Sequence, residues 1–186
     1  AVTFTNKAAG EMRRRVARLL KFDEDNTQYM PFLGTFHSIA NRILRREADR
    51  IGYSSNFLIY DAGDSHALIK SIIKGMSLDE KQITPNGVGN VISSAKNELI
   101  SAGEYKRFAT GKLQEAAAEI YPKYQLALQK AGAMDFDDLI MKLTIMLEED
   151  DEMREKYQRQ FKYIMVDEYQ DTNHAQYKLI QLLAKE

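Results

Sequence analysis

The run KYIMVDE, residues 162 to 168, constrains this chain more than any other stretch: an uninterrupted apolar segment stops at two adjacent carboxylates, Asp167 and Glu168, and Asp171 follows. A short continuous apolar run reads as a parallel strand covered on both faces, and unpaired charge must then sit where the strand emerges. Ligands of open α/β sheets bind at the carboxyl ends of the strands. Carboxylates placed there suit a magnesium ion held through water, with a second acid to prepare a water for phosphoryl transfer. The same residues also suit a plain structural role. Asp, Thr and Asn are favoured caps, and a last helix is expected from about Asn173 with Leu179, Ile180, Leu182 and Leu183 facing inward.

The N-terminal part supports a parallel sheet. AVTFT reads as a short buried strand, followed by a helix from about Asn6 to Leu20 with Ala9, Met12, Val16, Leu19 and Leu20 on its inward face. KFDEDNTQ reads as a loop and PFLGT as a second strand, leading to a helix with Phe36, Ile39, Ala40, Ile43 and Leu44 inward. Strand, helix, strand, helix is the pattern of crossovers in an α/β fold.

From about Ile51 helical periodicity takes over. It recurs at Ala67 to Met76, at Val88, Val91, Ile92, Ala95 and Leu99, and from Leu113 to Ala131, with TPNGVG read as a turn between segments. Pro122 should kink or split the third of these helices. DFDDLIMKLTIML, residues 135 to 147, reads as a helix sandwiched between layers, and EEDDE as a solvated loop and helix start. The expected division is residues 1–53 as the first part of an α/β domain, 54–130 as a helical insertion, and 131–186 as the return to the sheet.

Composition removes several classes of function. With 44% hydrophobic and 28% charged residues the chain is not of the disordered class, and no run approaches the ~18 apolar residues of a spanning helix. The reading is of a soluble intracellular chain that meets no membrane. The absence of cysteine excludes disulfides and thiolate metal sites, and three scattered histidines make no zinc site by themselves. The net charge of −1 hides an asymmetry: residues 1 to 60 hold ten Lys and Arg against six Asp and Glu. That basic part is where a phosphate backbone would dock.

Four segments carry a resemblance. VDEYQDTN followed by AQY resembles the Walker B segment of UvrD/Rep-type (PcrA-like) superfamily 1 DNA helicases, TFTNKAAGEMRRRV the first motif that contacts single-stranded DNA, GTFHSIANRILR the next, and DFDDLI the helix returning from the inserted subdomain. SSAKNELISAGEY is similar to the UvrD/PcrA branch. The order and spacing match over nearly the whole chain.

The resemblance implies part of a RecA-like (P-loop NTPase) parallel sheet with a mostly helical inserted subdomain. It further implies a cytoplasmic, nucleoid-associated bacterial protein that uses ATP and Mg²⁺ to move 3′ to 5′ along single-stranded DNA and to open duplex junctions in repair or replication. By the same resemblance Asp167 would help hold Mg²⁺, Glu168 would activate the hydrolytic water, and Gln170 and Asp171 would couple nucleotide state to neighbouring motifs. Phe4 would pack against a base with Thr5 and Asn6 near the backbone. Thr35, Phe36 and His37 would make the second set of contacts, and Lys96 would reach duplex DNA. The residue types also suit quieter roles: Phe4 and Phe36 as core, His37 as a helix-start residue, Lys96 as an ordinary surface lysine, the DFDDLI acids as a helix opening.

No G-x-x-x-x-G-K-[ST] loop occurs in the sequence, so the phosphate cradle and its lysine are missing. The expectation is a piece from the middle of a first motor domain that does not itself hydrolyse ATP and that self-associates through an exposed sheet edge. Two other classes stay open: a non-catalytic DNA-binding or protein-interaction module, and a metal-dependent nuclease using Asp167, Glu168 and Asp171 as ligands.

Overall fold

The computed structural model describes residues 1–23, 30, 32–79 and 81–184, and shows a mixed α/β chain that is mostly helical with two small parallel sheets. Strand β1 (Val2–Thr3) leads into helix α1 (Asn6–Leu20), and β2 (Gly34–Thr35) into α2 (Phe36–Arg46). β1 pairs in parallel with β2, Val2 opposite Gly34 and Thr3 opposite Thr35. On its other side β1 meets the chain after residue 161 through one parallel bridge, Val2 to Val166. The Val2 N–H donates to the Met165 carbonyl (2.8 Å) and the Asp167 N–H to the Val2 carbonyl (2.9 Å).

A second parallel pair, β3 (Leu58–Tyr60) with β4 (Ala133–Asp135), has Tyr60 opposite Asp135. Between these strands run α3 (Ala62–Gly75), α4 (Pro85–Asn97) and α5 (Lys112–Lys130). After β4 come α6 (Phe136–Glu149), α7 (Asp151–Gln160) and α8 (His174–Leu183). One apolar cluster gathers α2, α6, α7 and α8 around Phe36, Ile43, Leu143 and Tyr157; the other gathers α3, α4 and α5 around Ile73, Val88, Ile120 and Tyr124.

Several expectations are corrected. The YIMVD run is not a strand covered on both faces: Ile164 and Val166 pack on the first cluster while Tyr163 is 88% and Met165 66% exposed. Its one bonded strand neighbour among the described residues is β1, so alternate side chains have a core to face on one side only. Leu19, 82% exposed, and Leu20 also leave the inward face of α1, because the helix turns off at Lys21, a left-handed C-cap, and its buried contacts are made by Ala9 and Ala17. Of PFLGT only Gly34 and Thr35 form a strand; Pro31 lies outside the described residues, as do residues 24–28 of the expected loop.

TPNGVG is the start of α4 rather than a turn. The Thr84 hydroxyl accepts from the Gly87 N–H (3.2 Å) and Pro85 occupies the first helical position, where its missing N–H costs nothing. α5 runs through Pro122 without splitting; Pro122 itself is exposed, whereas Ala118, whose carbonyl loses its donor, is buried. Within residues 54–130 the described residues hold one short strand, β3, which pairs with β4 just beyond.

One contact between the helices of the two clusters is ionic. Lys96, near the end of α4, is 0% exposed, and its ammonium lies 2.7 Å from Asp135 Oδ2 and 3.0 Å from Asp138 Oδ1. The Tyr124 hydroxyl donates to Asp135 (2.9 Å) and the Gln125 amide to Asp138 (3.0 Å). Burial and the facing carboxylates push the Tyr124 hydroxyl well above its ordinary range, so it stays a donor. Removing one partner of such a buried group strands the others. Lys96→Met is therefore expected to lower unfolding free energy by about 3–5 kcal/mol, read from urea melts followed by circular dichroism; a loss below about 1 kcal/mol would show that the carboxylates do not depend on this ammonium.

Candidate nucleotide and nucleic-acid sites

The chain emerging from Val166 turns sharply. Glu168 has φ 51° and ψ 45°, a left-handed conformation sparsely populated by residues with a Cβ, and residues that hold one concentrate at functional sites. The Asp171 N–H donates back to the Glu168 carbonyl (2.9 Å), closing a single 3-10 turn over Tyr169–Asp171. The Asn173 side chain then caps α8 by accepting from the Gln176 N–H (2.9 Å).

The acids of this turn face outward. Asp167 is exposed and lines a cavity of about 660 Å³ with Met12, Arg15, Val16 and Met165; its Oδ2 accepts from the Thr3 hydroxyl (3.3 Å). Glu168 accepts from the Gln170 amide (2.6 Å), and both are exposed, as is Asp171. Among the described residues no lysine or arginine pairs with Asp167 or Glu168. No three acids or histidines converge as a metal cluster among them. Thr3, buried at the end of β1, was not singled out by its sequence; its position at the end of a parallel strand was the available signal.

A second hollow, about 260 Å³, collects residues far apart in sequence: Phe4, Asn6, Thr35, His37, Asn41 and Phe136 are among those that line it. They come from the strand-to-helix junctions that open α1, α2 and α6 and, for Asn41, from the second turn of α2. Thr5 accepts from the Ala8 N–H (3.1 Å) and Thr35 from the Ser38 N–H (3.2 Å), so both hydroxyl oxygens cap helices. Phe36 is 3% exposed and belongs to the first core cluster; its ring supports Phe4 from behind, centroids 5.5 Å apart, and does not face the hollow. His37 meets Phe136 edge-on at 5.8 Å, and Phe136 is 50% exposed.

Sequence reading missed Phe136 and Asn41. Asn41 is one helical turn after His37 on α2, which places both on one face, and its Oδ1 is buried without a hydrogen-bond partner. Phe136 was hidden inside DFDDLI, where the acids announce a helix start and the aromatic between them draws no notice. Lys96 requires the opposite correction. Its ammonium is consumed by Asp135 and Asp138 in the interior, so it offers no charge to a phosphate in this structure.

His37, in this hollow, is coupled electrostatically to Asp137, which lines another cavity. Burial pushes the His37 imidazole below its ordinary value, and the nearby Asp137 carboxylate partly opposes this; burial pushes Asp137 up, against the Ser93 hydroxyl and the charges of Lys96 and His37. His37 is thus neutral at neutral pH.

The family model of the UvrD/REP helicase N-terminal domain matches residues 1–186. The chain is 46% identical over 185 residues to the ATP-dependent DNA helicase PcrA of Bacillus subtilis (strain 168), covering 100% of this chain and 24% of that protein. It is 43% identical over 185 residues to the ATP-dependent DNA helicase PcrA of Leuconostoc citreum, covering 100% and 24% respectively. With the protein of the same name from Staphylococcus aureus (strain Mu50) it shares 45% over 184 residues, covering 99% and 25%. The chain thus spans about a quarter of the length of the curated relatives it matches.

Between the lowered midpoint of His37 and 6.5 the unfolded chain binds more protons than the folded one. This group's contribution to stability is therefore full above 6.5 and is lost as pH falls through that window. Ring-proton NMR should place the His37 midpoint below 6.5, and lower still in Asp137→Asn, because the carboxylate that favours the imidazolium is gone. A rise in the Asp137→Asn variant would contradict the proximity of the pair.

Proposed function

The chain belongs to the UvrD/REP helicase N-terminal domain family, and from that premise we propose that it is part of the first motor domain of an ATP-driven DNA helicase that translocates 3′ to 5′ on single-stranded DNA and opens duplex junctions in repair or replication. Residues 1–53 and 131–186 are parts of one RecA-like domain and residues 54–130 an inserted helical subdomain. The strands that end in the two candidate sites support this division, as does the separation of the two apolar clusters.

The observation that carries the reading is the contrast at residues 167 and 168: two exposed carboxylates at the end of a parallel segment, with no protein cation set against them among the described residues. That donor set fits Mg²⁺ bound largely through water, with Asp167 as its holder and the Thr3 hydroxyl fixing the carboxylate. The ion would supply neutralisation of the triphosphate oxygens. Glu168 would orient and deprotonate the attacking water, and Gln170, bonded to Glu168 in this structure, would report its position; Asp171 braces the turn.

The hollow beneath Phe4 and Phe136 would take a base of the strand. Aromatic faces grip any base, which suits movement that ignores sequence. His37, Asn6 and Asn41 would supply polar contacts at its rim. A neutral His37 offers a hydrogen bond without a fixed charge, so the basic surface of residues 1 to 60 is left to meet phosphate.

With no glycine-rich phosphate loop in its sequence, the 186-residue chain is expected to bind single-stranded DNA but to show no DNA-stimulated phosphate release above a Glu168→Gln control. In fluorescence anisotropy, Phe4→Ala should weaken binding by about 1–3 kcal/mol, and affinity should fall steeply with salt. Salt-independent binding, or none, would remove the DNA-interface reading. The segment bearing Tyr163 and Met165 exposes apolar side chains beside an unpaired strand edge. Light scattering at rising concentration should accordingly show self-association, which Met165→Lys should reverse; a concentration-independent monomer would dismiss the edge contact.

A further inference from the structure

α4 packs on both α6 and α8, and two consecutive residues at its end make polar contacts to them. Lys96 holds Asp135 and Asp138, the N-cap and third residue of α6, which bracket Phe136 and Asp137. Asn97 Oδ1 accepts from Asn173 Nδ2 (2.7 Å), the side chain that caps α8. Asn173 in turn follows the 3-10 turn that opens at Glu168, and the Thr172 hydroxyl ties back to the Tyr169 carbonyl (2.8 Å). The acid turn and the base-sized hollow are thereby linked through the end of one helix, by side-chain bonds at every step between elements.

We infer that Asn97 is a positioning residue that transmits the state of the acid turn to the DNA hollow. It receives the α8 cap on one side while its neighbour Lys96 fixes the first turn of α6 on the other. A shift of Glu168 away from Gln170 toward a water moves the turn that leads into Asn173; the Asn173–Asn97 bond passes that shift to α4, and the rigid Lys96 pair passes it to Phe136. This rests on the reading of residues 167–171 as a nucleotide site. Contiguous hydrogen-bond networks between elements are one physical route for such coupling.

The bond can be broken without changing side-chain size. An amide and a carboxylate can still pair in either order, because an asparagine amide can flip. In the full-length protein, Asn97→Asp alone and Asn173→Asp alone should each keep DNA-stimulated ATP hydrolysis within about twofold, since a donor still faces an acceptor and a carboxylate in place of the Asn173 amide still caps α8. The double variant Asn97→Asp/Asn173→Asp sets two acceptors face to face, and Asn97→Ala removes the acceptor without adding charge. Both should lose about fivefold or more of the DNA stimulation of kcat, with KM for ATP, basal hydrolysis without DNA and single-strand affinity unchanged.

Full stimulation in both the double variant and Asn97→Ala overturns the inference. So does a loss that tracks weakened DNA binding or a raised KM, which marks a structural role only. If the unaltered full-length protein shows no DNA-stimulated hydrolysis, the nucleotide-site reading itself fails, and that outcome is separate from the variant series.

Discussion

A buried ammonium between two carboxylates organises this chain. Lys96 comes from the helical part, while Asp135 and Asp138 come from the strand-to-helix junction that returns to the other cluster, 39 and 42 residues further on. Asp135 has several tasks at once: it ends β4, caps α6 and takes both the Lys96 ammonium and the Tyr124 hydroxyl. A cation taken out of water is tolerable only when such partners surround it, and the faces of the Tyr121 and Tyr124 rings, 5.9 and 5.2 Å away, complete the enclosure. The two apolar clusters are non-directional by themselves. The ion group adds a directional contact between α4 and α6.

The same economy of parts recurs where strands pass into helices. Thr5 follows β1, Thr35 ends β2, Asp61 follows β3, Asp135 ends β4, and Asn173 follows the turn after Val166; each accepts a backbone N–H from the helix it opens. A capping residue stops the chain from continuing as strand and satisfies one N–H that would otherwise lack a partner. It also places the next one or two side chains at the strand's carboxyl end. Asn6, His37 and Phe136 are all in that position, which is why residues more than a hundred positions apart line one hollow. The fold generates the hollow by repeating one local junction.

This explains what was readable in the sequence. The bounds of α1, the inward face of α2 and the burial of α6 follow from periodicity and from caps, which are local signals. Phe4, Asn6, Thr35 and His37 line one hollow, and it was the resemblance to a family, not a local signal, that singled them out. The burial of Lys96 was not readable, because on α4 it is one more cation in a polar pattern and its partners are set by tertiary packing. Tyr163 and Met165 failed for a related reason: an apolar run shows that a strand can be covered, but the covering layer is supplied by other elements. TPNGVG misled because Pro and Gly signal turns in general, whereas Thr followed by Pro is the more specific mark of a helix start.

The chain contains two acid-rich segments of similar appearance, DFDDLI and VDEYQD, and the difference between them separates architecture from chemistry. In the first, Asp135 and Asp138 are buried and answered by Lys96, Tyr124, Gln125 and the backbone of their own helix. Little of their charge is left to act on anything else. In the second, Asp167 and Glu168 are exposed, receive one neutral donor side chain each, and sit beside a strained backbone turn. Charge that a fold has not neutralised keeps its capacity to attract a cation or a proton. Composition cannot distinguish the segments, since each is three acids among apolar and amide residues, but the partners supplied by the rest of the chain can. The compensated acids hold the scaffold in register, and that register leaves the uncompensated ones pointing outward.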